Sequence, residues 1–299
     1  MASLRGWQGS ADTTAVQQLV SRLWPYSSHP GGLGWEAATN QLPSETILAE
    51  DGGILGWAGA TSGELLVQAR PEAARPLLDW AMTTAEGSDL VIPVFDGDEV
   101  LRSLVIEAGF QRAGRAAPLV GMFRAATPEF PQLPAGYRIR GMRSAEAAER
   151  VAVHRAAWRP MTLPWAEGVA RPVSPDATSS FTAAHFESLR RTWLYDEELD
   201  LVVEAPDGSL AGCCTVWWDP AIGCAEIEPL GVVPEHRRKG LAGALCLEAC
   251  AQIAARGGDR VFINTGPRAD YPAPAATYAS VGFVATARAH FYGFSSRRS

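Results

Sequence analysis

Cysteine is scarce in this chain and poorly placed for a scaffold. The 299 residues hold five, all in the C-terminal half: Cys213, Cys214, Cys224, Cys246 and Cys250. The number is odd and no Cys-x-x-Cys pair occurs, so neither a disulfide framework nor a zinc site is implied. Cys246 and Cys250 stand four apart on an apolar helical stripe, the setting of a buried, inert thiol. Long apolar runs are missing too. None approaches the ~18 residues that a membrane span needs, and the opening MASLRGWQGSAD lacks the apolar core of a signal peptide. No membrane partner and a reducing, cytoplasmic setting are expected. Basic charge is also short: 26 Lys and Arg against 33 Asp and Glu leave a formal net charge of −7. That balance argues against a nucleic-acid scaffold but allows a local basic patch.

What is present is 47% hydrophobic and 20% charged residues, enough for two globular domains of about 150 residues each. Val16, Leu19, Val20 and Leu23 predict an amphipathic helix over 13–24, ended by Pro25. Residues 28–34 read as a Pro/Gly loop. The runs 45–50 and 54–60 read as strands around the hairpin turn Asp51-Gly52-Gly53. Strands at 64–69, 90–95 and 119–124 alternate with helices at 72–84 and 100–108. Residues 126–136, rich in proline and without period, separate a first domain over 1–125 from a second over 137–299. There the order recurs. A strand at 137–140 precedes a helix at 144–158 with Ser144 as N-cap. Strands at 201–204 and 210–218 flank Asp207-Gly208, and a strand at 227–233 leads to a helix from 241. A strand at 260–264, a helix near 275–280 and a strand at 290–294 close the chain. The halves also match locally: Glu50-Asp51-Gly52 with Pro206-Asp207-Gly208, Arg70-Pro71-Glu72 with Val233-Pro234-Glu235, and Gly109-Phe110 with Gly282-Phe283. The pattern is a tandem duplication of one α/β unit with a mixed sheet.

The chemistry concentrates after the strand at 227–233. Arg237, Arg238, Lys239 and Gly240 form a tight basic turn before a helix with apolar Leu241, Ala244 and Leu245. Strand, glycine-containing turn and helix N-terminus aim backbone N–H groups at one spot, which suits a phosphate. In the first half Pro76 and Leu77 stand near the place of Lys239 and Gly240. Proline lacks the N–H and leucine blocks approach, so that copy is expected to have lost its anion site. Glu226 and Glu228 lie two apart, on one face of a regular strand. Either could take a proton from an amine; the pair could equally hold a cationic acceptor or an arginine. The connector 158–195 carries Trp158, Trp165, Phe181, His185, Phe186, Trp193 and Tyr195. These rings either line an aromatic pocket or pack against the first domain. Trp217 and Trp218 alternate faces, so one of them can join such a pocket. His154 and His185 read as surface or core histidines rather than bases.

The spacing Arg237-x-x-Gly240-x-Ala242 follows Val232-Val233-Pro234 and precedes Tyr278-x-x-x-Gly282-Phe283 by about forty residues. This constellation resembles the GNAT superfamily of acyl-CoA-dependent N-acyltransferases over about 137–294, with a decayed copy over 10–125. The resemblance implies two tandem GNAT-like domains, the second catalytic, using acetyl-CoA and no metal. It implies that Arg237, Arg238, Lys239, Gly240, Leu241, Ala242 and Gly243 hold the CoA pyrophosphate while the main chain of Val232 and Val233 pairs with the pantetheine arm. Tyr278 would protonate the departing thiolate, unless it is only a packed aromatic. Many relatives carry Asn seven residues before that tyrosine; Tyr271 stands there, and Asn264 is the candidate replacement for its contact. The implied reaction moves an acetyl group directly to the primary amine of a small molecule, without a covalent enzyme intermediate. Two readings remain beside it. One is the same fold using a carrier-protein thioester or aminoacyl-tRNA as donor; the other is a non-catalytic acyl-CoA-binding protein. A homodimer is compatible with all three.

Overall fold

The computed structural model describes residues 2–85, 89–113, 118–159, 179–265 and 272–295. They fall into two compact units, 1–120 with 287–299, and 121–286. The first half of the chain runs β1 (Ser3–Gly6), α1 (Ser10–Leu23), α2 (Pro30–Ala38), β2 (Glu45–Glu50), β3 (Ile54–Ala60), β4 (Leu65–Ala69), α3 (Pro71–Thr84), β5 (Leu90–Phe95), α4 (Glu99–Glu107), β6 (Gln111–Arg112) and β7 (Leu119–Ala125). The second half runs β8 (Arg138–Gly141), a 3-10 turn (Ser144–Glu146), α5 (Ala147–Ala157), α6 (Ala183–Leu189), β9 (Asp200–Glu204) and β10 (Leu210–Asp219). It continues with β11 (Cys224–Val232), a second 3-10 turn (Pro234–His236), α7 (Leu241–Ala255), β12 (Arg260–Ile263), α8 (Ala273–Ser280) and β13 (Val284–Phe294). Apart from the short β6, the two halves repeat one order of elements. The matched glycines also share a backbone state: Gly109 and Gly282, each after a helix, have φ of 91° and 86°.

In the first unit β1-β2-β3-β4 form an antiparallel sheet. Helix α3 buries Ala73, Leu77, Leu78 and Ala81 in a cluster with Ala58, Val67 and Ile92. Strands β4 and β5 meet through one parallel bridge, Glu64 to Val91. The loop 24–29 touches the chain on both sides of that divergence. Gln68 of β4 accepts the Ser28 N–H at 3.0 Å and donates to its Oγ at 2.8 Å. Past β5, the Tyr26 ring lies so close to Gly97 that a Cβ there would stand 2.4 Å from it.

The second unit has the strand order β7-β12-β11-β10-β9-β8, antiparallel except for β11 and β12. Helix α7 presses Leu241, Leu245, Cys246, Ala249 and Ile253 onto Cys214, Val216, Ala225, Ile227 and Val261. Its i, i+4 stripe and the period-two strands supply matching apolar faces. Helix α5 meets β10 through different residues, with Arg150 reaching Asp200 and Thr215.

Several elements depart from the sequence expectation. Residues 30–38 form a helix, not a loop: His29 Nδ1 accepts the Gly31 N–H at 3.1 Å, Pro30 opens the first turn, and Leu33, Trp35 and Ala38 are buried. Burial of one apolar face outweighs the poor helix propensity of the glycines. Ser144 is not an N-cap: it opens the 3-10 turn after Arg143, whose N–H donates to Glu146 Oε2 at 3.1 Å, and Glu146 is the N-cap of α5. The Ser144 hydroxyl donates instead to Glu197 at 2.6 Å. Residues 122–125 of β7 pair with β12 in the second unit, and 289–294 of β13 pair with β5 in the first. Each half of the chain thus ends in a strand that completes the sheet of the other unit. The Pro-rich 126–136 lies inside the second unit.

Candidate active site

The site grows from a divergence in the second sheet. Strand β11 is nine residues long, yet it pairs with β12 only through Cys224, Ala225 and Glu226. Beyond that point no strand among the described residues covers this edge of 227–232, leaving a slot in which an extended, amide-bearing ligand can pair with the main chain. Pro234 stops β11 by withholding an N–H. The following turn holds two left-handed residues, Arg238 at φ 64° and Gly240 at φ 80°. An arginine kept in that region marks a place where backbone direction matters more than local ease, and such turns cluster N–H groups into an anion nest. Helix α7 starts at once, with Gly240 as N-cap and no side chain capping it. The N–H groups of Leu241, Ala242 and Gly243 therefore have no intrahelical acceptor, and the positive end of the helix dipole adds to them.

A cavity of about 790 Å³ opens over this turn. Of the residues singled out in the sequence, Val232, Arg238, Gly240, Leu241, Ala242, Gly243 and Asn264 line it on the turn side. Glu228, Tyr278 and Trp158 line it as well. Arg237 also lines it, but its guanidinium is engaged: Nε donates to the Val232 carbonyl at 3.0 Å, and Nη2 to those of Ala157 at 2.8 Å and Arg159 at 3.2 Å. It ties the turn to the carbonyl end of α5, where a cation is favoured. Lys239 and Val233 lie outside the lining. Lys239 Nζ donates to the Tyr137 hydroxyl at 3.0 Å, and that hydroxyl is hydrogen-bonded to His236 Nδ1 at 2.8 Å. The Val233 N–H donates to Ala211 at 3.0 Å. Tyr271 and Trp165 lie outside the described residues.

The two glutamates separate. Glu226 is 2% exposed and does not reach the cavity, whereas Glu228 does. Their regular alternation is broken by a β-bulge, because the register against β10 shifts between Cys214 and Val216. Tyr278 is 7% exposed on α8, its ring 6.3 Å from that of Phe283. On the opposite wall Trp158, 39% exposed, stacks on His154 with ring centroids 4.2 Å apart. Burial, reinforced by Arg150 and Arg155, pushes His154 down to about 3, so this ring is neutral near pH 7 and serves as a platform. Gly231 lets the platform approach: a Cβ there would stand 2.5 Å from the Trp158 ring. Trp193 lines a separate hollow with Arg190, Tyr195 and Trp218. Trp217 is fully buried outside the lining, and its indole N–H donates to the backbone carbonyl of Glu228.

Two features escaped the sequence reading. His236 lines the cavity from within the basic turn, and its only signal was its place in Pro-Glu-His-Arg-Arg. The buried Arg150–Asp200 pair, 2.9 Å apart, was hidden because its members are fifty residues apart. The cysteines offer no nucleophile: burial pushes Cys213 up to about 11 and also raises Cys214, Cys246 and Cys250. Among the described residues no cluster of three His, Cys, Asp or Glu is placed to hold a metal ion, and no helix is long and apolar enough to cross a membrane.

Residues 166–283 match the family model described as "Acetyltransferase (GNAT) family". No curated protein matches the sequence. Among solved structures, a GNAT-family acetyltransferase from Colwellia psychrerythraea aligns with a TM-score of 0.57 at 11% identity, over 98% of this chain and 100% of that one. A tandem GNAT protein from the clavulanic acid biosynthesis pathway aligns at 0.54 with 15% identity, over 100% of both chains. A GCN5-related N-acetyltransferase from Sphaerobacter thermophilus aligns at 0.52 with 16% identity, over 98% of this chain and 95% of that one. At such identities the structures speak to fold alone, and the fold is that of tandem GNAT proteins. The family match falls wholly within the second unit, so it is this unit, over residues 166–283, that carries the GNAT acetyltransferase family's sequence pattern.

Proposed function

We propose that this protein is an N-acetyltransferase that passes an acetyl group from acetyl-CoA directly to the primary amine of a small molecule. The observation that carries the reading is a single cavity lined by a basic turn, one carboxylate and one phenol: Arg238 with Gly240–Gly243, Glu228 and Tyr278. The N–H groups of the turn and of the first turn of α7 suit a diphosphate, and the uncovered edge of β11 suits the amides of pantetheine. A peptide-like arm pairing there carries the thioester toward Glu228. Glu228, directly or through a water, takes a proton from the acceptor ammonium. The free amine attacks the thioester carbonyl and forms a tetrahedral intermediate. Its collapse breaks the carbon–sulfur bond, Tyr278 gives its proton to the departing thiolate, whose pKa is near enough for efficient transfer, and the surplus proton on the new amide nitrogen returns through water to the tyrosinate. Trp158 on its histidine platform offers the acceptor a planar wall. Glu226, buried away from the cavity, is left a structural part in this scheme.

The first unit is proposed to be a degenerate copy that binds no donor. Pro76 lies inside α3, and the loop 24–29, bonded to Gln68 and packed on Gly97, stands where the divergence of β4 and β5 would otherwise admit a pantetheine arm. Turnover tests the catalytic assignment. With acetyl-CoA and a panel of primary amines, Tyr278→Phe should lower kcat about tenfold or more while CoA affinity holds. An unchanged kcat removes Tyr278 as the acid, and no turnover by the wild type removes the reading itself.

A further inference from the structure

Up to Ile227, strand β11 alternates faces: Ala225 and Ile227 join the apolar cluster under α7, and Glu226 does not. The pairing with β10 then slips. Ile227 pairs with Val216 and Leu230 with Cys214, so Glu228 and Pro229 together face Thr215. Two residues against one is a bulge, and a bulge takes backbone groups out of the ladder. The freed carbonyl of Glu228 is met by a side chain: the indole Nε1–H of Trp217 donates to it at 2.6 Å. Trp217 is wholly buried, so this donor has no solvent to exchange with.

Trp217 is itself held. Its ring stands edge-on to Tyr195, centroids 6.4 Å apart at 67°. The Tyr195 hydroxyl donates to Asp200 Oδ2 at 3.0 Å. Asp200 Oδ1 accepts from Arg150 Nε at 2.9 Å and from the Thr215 hydroxyl at 3.1 Å, while Arg150 Nη2 donates to Thr215 at 3.0 Å. The residue facing the bulge and the indole that clamps it are thus anchored in one buried cluster. A buried ion pair is a poor source of stability, since hydrophobic replacements are often as stable; what it supplies is fixed geometry.

We propose that Trp217 is a positioning residue: its indole N–H fixes the backbone of Glu228 at the bulge and so aims the Glu228 carboxylate into the cavity. The inference rests on the acetyltransferase reading for its consequence, since the aimed carboxylate is the proposed base. It assigns to the Trp217–Tyr195–Asp200–Arg150 cluster a role in amine deprotonation rather than in donor binding.

The test replaces Trp217 by β-(3-benzothienyl)alanine, which keeps the shape of the ring and puts sulfur in place of the N–H; Trp217→Phe serves as a genetically encoded second variant. With the best amine of the panel, kcat/KM should fall roughly tenfold and its acidic limb should move along the pH axis, with acetyl-CoA affinity within about twofold of wild type. Unchanged kcat/KM with an unchanged pH profile overturns the proposal, and so does a parallel loss of acetyl-CoA binding, which would mark a general structural role. ¹³C NMR titration of the Glu228 carboxyl in the same proteins needs no turnover. A midpoint altered by loss of the N–H supports the clamp even if the wild type acetylates no amine, which would defeat only the functional reading. An identical titration overturns the clamp.

Discussion

His154 carries a proton-linked cost that the rest of the site must bear. Buried and flanked by Arg150 and Arg155, it is held down to about 3 in the folded chain, against about 6.5 when unfolded. Below pH 6.5 the unfolded state binds a proton that the folded state refuses, so this residue weakens the fold as pH falls, until about 3 where both forms are charged. By pH 4.5 the penalty is on the order of 2 kcal/mol. Thermal denaturation between pH 7.5 and 4.5 should show a drop of several degrees in the wild type that is distinctly smaller in His154→Phe, which keeps a ring beneath Trp158. Equal pH slopes in the two proteins would contradict the assignment. Glu228 and Tyr278 each reach the cavity, and the roles proposed for them would be read in rate rather than in stability.

At the scale of elements, the site depends on how β11 behaves at its two ends. Its start is an ordinary strand between β10 and β12; its end has lost one neighbour, gained a bulge and accepted α5 at close range. Gly231 is what permits that last contact, since a side chain there would meet the Trp158 ring and the Ala157 Cβ, the latter at 2.8 Å. Gly231→Val should cost about 1–3 kcal/mol by overpacking, and thermal melting should register it as a fall of several degrees. An unchanged melting temperature would mean that α5 is free to withdraw. Apolar period and turn residues made β2, β3, β5 and the α7 stripe legible from sequence, as well as the basic turn itself. The bulge was not legible. The one local cue is Pro229, which withholds an N–H and is tolerated inside strands mainly at edges and bulges; it does not say how the partner strand slips, so Glu226 and Glu228 read as one face. Helix α2 was hidden for a related reason, its glycines arguing for a loop while burial of Leu33 and Trp35 decided otherwise.

At the scale of the whole molecule, the duplication shows in the repeated order of elements, and its asymmetry in the turns after β4 and β11. The repeat was visible as matched Asp-Gly, Pro-Glu and Gly-Phe steps. The exchange of final strands was not, because only pairing reveals which sheet β7 and β13 each complete. With two copies of one fold and one basic turn, the proposed donor stoichiometry is one acetyl-CoA per chain, at the turn around Arg238 and Gly240. Isothermal titration of the full chain with acetyl-CoA tests it most directly. One equivalent should bind, with a loss of about a hundredfold or more in Gly240→Pro, whose ring removes an N–H and forbids a φ of 80°. No binding, two equivalents, or undiminished affinity in Gly240→Pro would contradict it.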